Sequence, residues 1–535
     1  MKKNLIIALL ITLNSVVFAQ ISGTKTIPGD YATISAAIAA LNGSGVGTGG
    51  VTFNVAAGHI ETISATLSLI VSGTSSNPII FQKNGAGNNP KITAYGGGTA
   101  TPSSAIQDGI IQLVGCDYVT FNGIDLYDPN TSNPSTMEYG YGLFQLNANN
   151  GCQHNTIINC VITLNRNNSA VSSVFASTGS RAIYIVNSLF TAQNALSTPS
   201  SAAGTNSYNK IYSNTLQNCH YGVMISGYNA QTPFTLGDTG NDVGGTSATT
   251  GNSILNFGGT NTTLSTCGAI SMTYQFGSNI SYNTINNNNG SGVNNQAGIL
   301  GIYSVSYAEP SVLISHNNLN LHSASSTIID AGIYVISGTG TLGLVIVSNN
   351  VITGSNPAAT TSNFYAIRNE CTCNVQIDSN TISGISQNGV EGSFIGVIYN
   401  NTQAGNVHCY HNTISNITKN NKGYIYAIYY KGTANVDIRY NSITNLTSAT
   451  TTTLYADVYG ILTETFDTAV IKNNLIHDFS HSSGGGVYGI SCNSISYCDS
   501  NEIHTFSASA GARLYGIESK IKKRTISNHC CPVKV

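Results

Sequence analysis

The chain has 535 residues, of which only 8% are charged, and a formal net charge of -2. That balance excludes an electrostatic grip on nucleic acid, which needs Lys and Arg in numbers, so no nucleic-acid partner is expected. Low charge also accompanies disorder, but 41% hydrophobic residues and 29 tyrosines favour an ordered, β-rich protein.

Residues 1–19 read as a secretory signal peptide. Lys2 and Lys3 open it, Leu5 to Leu13 form an apolar run, and Val17-Phe18-Ala19 fits cleavage before Gln20. The run is too short for a spanning helix, and no later stretch resembles one. The expected location is secreted or at the cell surface. Residues 20–104 read as an N-terminal cap and the first coils of a solenoid. In KTIPGDYATISAAIAALN (25–42), a strand and a turn at Pro28-Gly29-Asp30 lead into Ile34, Ala37, Ile38 and Leu41, the spacing of a short amphipathic helix. Such a helix suits the end of a β-solenoid, whose open coil otherwise invites edge pairing. VTFNVAAG (51–58) and PIIFQKNGAGNNPKITAYGGG (78–98) read as the first coils.

Residues 105–520 carry a repeat. An asparagine, one spacer and an aliphatic residue recur at Asn122, Asn159, Asn214, Asn252, Asn283, Asn317, Asn350, Asn380, Asn412, Asn441, Asn474 and Asn501. From Asn252 the steps are 31, 34, 33, 30, 32, 29, 33 and 27 residues. A drifting period near thirty marks a repeat architecture with loops of variable length. A second marker keeps step with it: an aromatic, a small residue and an aliphatic one, as in Tyr365-Ala366-Ile367, Tyr426-Ala427-Ile428 and Tyr459-Gly460-Ile461. Between the markers, runs such as VHCYHN and VDIRYN alternate with a strand period. One coil cannot bury its inner face, but stacked coils can, each strand pairing with its copy about 4.8 Å away. The predicted fold is all-β: a right-handed, single-stranded parallel β-helix with an N-terminal capping helix. The asparagines from Asn283 to Asn501 are expected at sharp bends, tolerating unusual backbone angles and bonding along the axis as a ladder. The small residue reads as a tight corner or a close-packed inner position.

The repeat resembles the right-handed parallel β-helix families of pectin lyase-like type, which include pectin-degrading enzymes, phage tailspikes and bacterial surface proteins. The opening DYATISAAIAALN is similar to that of pectin methylesterases, and closer to secreted β-helix proteins of Bacteroidetes type. The resemblance implies an exported rod that either binds or degrades polysaccharide. The Asn-Thr-Asp, Gly-Asp-Asp and Gly-His-Gly motifs of the polygalacturonases do not occur, nor does any tryptophan. After Ile517 the register fails, and residues 521–535 form an atypical tail that reads as truncated or frame-shifted.

The chemistry-bearing residues are sparse, with 22 acidic groups in the whole chain. His408 and Asp437 precede Asn412 and Asn441 by four residues each and should stack on adjacent coils. Arg439 lies on the same face, with His411 and Lys431 nearby in sequence. This cluster could bind an acidic sugar or supply a base, or be an ordinary solvated face. Tyr365, Tyr426, Tyr459, Tyr488 and Tyr515 recur in register. Outward, they would form a track for sugar rings; inward, core stacking. Cysteines such as Cys116, Cys160, Cys219, Cys409 and Cys498 read as small buried hydrophobes. Cys371 and Cys373 would share one side of a strand, where a disulfide is awkward. No metal site is expected and no cofactor, calcium entering only for a lyase. The leading reading is a non-catalytic exported rod for adhesion, envelope structure or glycan binding, with polysaccharide or a surface protein as partner. The alternative is a polysaccharide lyase or glycoside hydrolase acting in a groove along the rod.

Overall fold

The structure is a computed structural model. It describes residues 19–96, 105–130, 137–166, 179–259, 266–287, 299–306, 311–325, 329–337, 343–390, 393–402, 404–449, 456–465, 468–492, 496–509, 511–519 and 525–526. Residues 1–18 of the signal peptide and most of the tail lie outside these.

The chain winds as a parallel β-solenoid whose coils each give one strand to three long sheets. Among the described residues the sheets hold 16, 14 and 14 strands, every neighbouring pair parallel. We call them sheets I, II and III. One coil runs through Phe394–Asn400 in sheet III, Asn406–Tyr410 in sheet I and Thr413–Lys419 in sheet II; the next runs through Tyr424–Gly432, Asn435–Arg439 and Ser442–Ser448. Side chains alternate, so Val407 and Cys409 are buried while His408 is exposed. In-register columns such as Ile377, Cys409, Ile438, Ile471 and Cys498 fill the interior. All the described cysteines are buried thiols, most of them in such positions.

At the N-terminal end a helix, α1 (Ile34–Ser44), buries Ile34, Ala37, Ile38 and Leu41, the apolar positions of the sequence pattern. Thr33 caps it, its hydroxyl accepting from the Ala36 amide at 3.1 Å. Glu61 accepts from the Ile34 and Ser35 amides at 2.8 and 3.1 Å, placing negative charge where the helix has unpaired donors.

The corner between sheets I and II carries the repeated asparagine. Asn412 shows the pattern. Its Oδ1 accepts from the Asn380 amide (3.0 Å) and the Asn380 Nδ2 (2.9 Å), and its own Nδ2 donates to Asn441 Oδ1 and to the Ile377 carbonyl, both at 3.0 Å. The same bonds link Asn214, Asn252, Asn283, Asn317, Asn350, Asn380, Asn412, Asn441, Asn474 and Asn501 in one buried file. The unusual backbone angle, however, falls one residue earlier. Tyr282, His316, Asn349, Ser379, His411, Tyr440, Asn473 and Ser500 hold φ between 51° and 62°. The chain turns on the residue before, and the asparagine supplies the amide that pays for it. Asn122 and Asn159 are not rungs. Gly123 (φ 70°) and Asn159 itself (φ 59°) make those two turns, so Ile124 and Cys160 occupy the rung positions.

A left-handed backbone tolerates Asn and Gly but strains a β-branched residue. Asn349 is exposed and turns with φ 56°. Asn349→Val is expected to cost about 1–2 kcal/mol and Asn349→Gly close to nothing, read as paired urea midpoints.

The tyrosine marker also has a definite geometry. In sheet III the small residue and the aliphatic one after it both face inward, as with Ala427 and Ile428, because the strand bends there. The small residue is a close-packed position: a Cβ on Gly460 would meet the Gly489 carbonyl oxygen at 2.5 Å. Thr525–Ile526 pairs in register with Tyr497 and Cys498 in sheet I, inside a tail whose sequence gave no strand pattern; two residues are too few to show alternation.

Candidate functional site

The bend in sheet III turns the tyrosine row away from the main core, although Tyr365 and Tyr488 are themselves buried, at 4% and 5% exposure. Tyr365, Tyr426, Tyr459, Tyr488 and Tyr515 lie in one column, with Gly396 between the first two. Their rings stack on each other: Tyr426 on Tyr459 at 5.4 Å, Tyr459 on Tyr488 at 4.5 Å, Tyr488 on Tyr515 at 5.1 Å. Tyr365 packs against Phe394 and Tyr399 instead. A sugar needs an open ring face, and rings stacked this way present mainly their edges. Three residues along, a second outward column reads Tyr334, Arg368, Tyr399 and Tyr429. Arg368 lies over the rings of Tyr334 (4.4 Å) and Tyr365 (4.9 Å) and binds Glu370 at 2.7 Å. Glu370 also accepts from the Tyr334 hydroxyl, and Glu464 from the Tyr429 hydroxyl, each at 2.6 Å. Lys431 belongs to this sheet, in register with Glu464, and not to the histidine cluster.

The outer face of sheet I brings together the other residues singled out by spacing. His408 and Asp437 are in register on adjacent strands, with Gln376 before them and Val470 after. They line a groove of about 240 Å³ with Asn406, Asn435 and Thr468. The parallel outward column reads Asp378, Tyr410, Arg439, Lys472 and Asp499. The two columns meet at Asp437. Arg439 Nε donates to its Oδ1 at 2.5 Å, and the Tyr410 hydroxyl to its Oδ2 at 2.7 Å. Partial burial and this carboxylate push the Tyr410 hydroxyl up to about 12. His408 packs its ring on Tyr410, at 5.3 Å between centroids, rather than on Asp437. His411 pairs with Asp378 at 3.0 Å and stacks on Tyr440 at 5.2 Å and 5°. Tyr440 is 52% exposed, with one ring face covered by His411, and Tyr497, in register with Val470, is a second exposed aromatic on this face.

The sequence reading brought out His408, His411, Asp437 and Arg439 but did not single out Tyr410, Tyr440 and Lys472 as site residues. The signal was present: Asp378, Tyr410, Arg439, Lys472 and Asp499 each stand two residues before a ladder asparagine, and His411 and Tyr440 one before. Chemically, the face offers amides, hydroxyls and a paired carboxylate at the spacing of adjacent coils. That suits a hydroxyl-rich ligand lying along the rod. Among the described residues no group of three metal-ligating side chains occurs.

A second pair of carboxyl groups lies in the early coils. Glu138 is fully buried; its Oε2 accepts from the Asp108 amide at 2.8 Å, and its Oε1 has no hydrogen-bond partner among the described residues. Burial, reinforced by the Asp108 charge and opposed by this amide bond and by Arg181, pushes Glu138 up to about 8. The Tyr95 hydroxyl donates to Asp108 at 2.9 Å. Nothing in the sequence pattern marked these two.

No family model and no curated protein matches the chain. Among solved structures it is similar to the GH136 lacto-N-biosidase from Eubacterium ramulus, at 13% identity and TM-score 0.42 over 69% of this chain and 60% of that one. It is also similar to a mannuronic acid specific polysaccharide family 6 lyase enzyme from human gut microbiota, at 13% identity and TM-score 0.34 over 93% and 91% of the two chains. PfbA, a surface adhesin of Streptococcus pneumoniae, aligns at 9% identity and TM-score 0.32 over 92% and 89%. The chain thus spans 60% of the length of the lacto-N-biosidase structure.

Proposed function

We propose that this protein is an exported, non-catalytic rod that binds glycans along the outer face of sheet I. Export rests on the signal-like residues 1–19. The observation that carries the binding reading is the groove in which His408, Asp437, Asn406 and Asn435 stand on adjacent coils. The state of Asp437 supports binding over catalysis. Both its oxygens are held, by Arg439 and Tyr410, so neither stands free as a general base and both keep lone pairs for further hydrogen bonds.

A second reading, a glycoside hydrolase, is supported by Glu138 and Asp108. A carboxyl group pushed up to about 8 by burial, hydrogen-bonded to the amide of a second acidic residue, is a starting point for the acid that such chemistry uses.

One experiment separates the two. Purified chain lacking residues 1–19 is offered pectins, alginate and host-type glycans, with and without calcium. The expected result is binding without new reducing or unsaturated ends. Affinity falls at least about tenfold, or 1.4 kcal/mol, in His408→Ala or Asp437→Asn. The exposed His408→Ala change should move stability by less than about 0.5 kcal/mol. Cleavage abolished by Glu138→Gln would establish the hydrolase instead. The absence of both binding and cleavage would favour adhesion to a surface protein.

A further inference from the structure

Two cysteines meet where one coil of the rod passes from sheet III to sheet I. Cys492 ends the sheet III strand Gly486–Cys492, and Cys498 lies in the next sheet I strand, Ser496–Asp499. Both are buried, at 1% and 4% exposure, and their Sγ atoms are 3.9 Å apart. One coil earlier the same two positions hold Thr463 and Ile471. Two coils earlier they hold Tyr430 and Ile438. Three coils earlier they hold Asn400 and Cys409.

We propose that Cys492 and Cys498 are a disulfide site that fastens sheet III to sheet I in this coil. A disulfide needs its sulfurs about 2.05 Å apart and its Cβ atoms about 3.5–4.5 Å apart. Thiols already 3.9 Å apart are within reach of that bond by side-chain rotation. The oxidant is a small-molecule or protein disulfide. One cysteine, as thiolate, attacks a sulfur of that disulfide and expels the first thiolate, leaving a mixed disulfide. The second cysteine, as thiolate, then attacks the protein sulfur and expels the second. Two thiol protons go to solvent, and the oxidant's S–S bond takes up two electrons. Because both sulfurs are buried, the exchange belongs to the folding chain, before the corner closes. The Cys371–Thr372–Cys373 pair provides the contrast. These cysteines straddle a corner, between strands Phe364–Glu370 and Asn374–Asp378, and not one strand as the sequence suggested. A bridge there would close a ring across a single residue, which strains the dihedral angle.

The full chain is refolded in a mixture of reduced and oxidised glutathione, quenched with acid, unfolded, alkylated and cut with trypsin. Lys472 and Arg513 bound a peptide that contains Cys492 and Cys498 and no other cysteine. The expected product is that peptide lighter by two hydrogens and unalkylated at both positions, while Cys371 and Cys373 carry the alkyl group. In Cys492→Ser the remaining Cys498 is alkylated or carries glutathione, and the variant keeps its far-ultraviolet spectrum. Alkylation of both Cys492 and Cys498 in the wild type overturns the proposal. So does an equally oxidised Cys371–Cys373 pair, which would mean that contact in this corner selects nothing.

Discussion

Asn412→Leu is expected to lower the unfolding free energy by about 3–5 kcal/mol, the sum of several stripped partners at about 1–3 kcal/mol each, less relaxation. The side chain is fully buried and fills its place by volume, so the loss comes from hydrogen bonds. Leucine removes the acceptor of the Asn380 amide and of the Asn380 Nδ2, and the donor to the Ile377 carbonyl. Asn412→Asp makes a sharper test. It keeps an acceptor, loses the donors, and buries a carboxylate. Its folded-state pKa will lie above that of the unfolded chain, so its stability is greatest in acid and is lost as pH rises. Asn406→Ala, at an exposed pair whose amide contact is 3.4 Å, should change little. Thermal unfolding of the three variants at pH 5 and pH 8 reads all of this. A change below about 1 kcal/mol in Asn412→Leu would show that the file of amides is idle.

Lys419→Met is expected to stabilise the protein near neutral pH, by about 1–3 kcal/mol. Lys419 is fully buried at the end of a sheet II strand, its Nζ donating to Gln387 Oε1 and, at 2.9 Å, to Ser393 Oγ. Burial pushes the amine down to about 7. The folded state therefore binds fewer protons than the unfolded one between about 7 and the ordinary lysine value of 10.5, and stability rises with pH across that window. The methionine variant removes this rise. Asp238 and Asp330, also fully buried, act with the opposite sign. Burial pushes each up to about 7, so their contribution is full below the ordinary aspartate value of 3.8 and is lost as pH rises towards 7. Together the three groups give a stability minimum near neutrality. Chemical denaturation from pH 5 to pH 10 should show that dip in the wild type and a shallower alkaline recovery in Lys419→Met.

These buried ionisable groups explain where the sequence stops being informative. The ladder was legible because one residue type recurs at one place in every coil from Asn214 to Asn501. Asn122 and Asn159 misled because the turn and the rung are neighbouring positions, and asparagine suits both. The direction of the tyrosine row was not legible, because the bend at Ala427 or Gly460 breaks the alternation that would have assigned it. On sheet I, spacing placed His408 beside Asp437. The hydroxyl that occupies Asp437, from Tyr410, comes from the coil before and two residues along, and needs coordinates. Lys419, Asp238 and Asp330 each occur once, so no period announces them.

The file of amides has a direction. Each Nδ2 donates to the rung that follows it in the chain and each Oδ1 accepts from the rung before, from Asn214 to Asn501 without reversal. Amide dipoles aligned in this way add, and each bond polarises the next. The rod therefore has an electrical axis, with the oxygens directed towards the helix end and the donors towards Asn501, as fixed in sense as the macrodipole of an α-helix. An array of such rods laid side by side in the same sense would repel, and in opposite senses attract. The interior of a nearly uncharged protein thus carries an orientation preference that its surface residues do not.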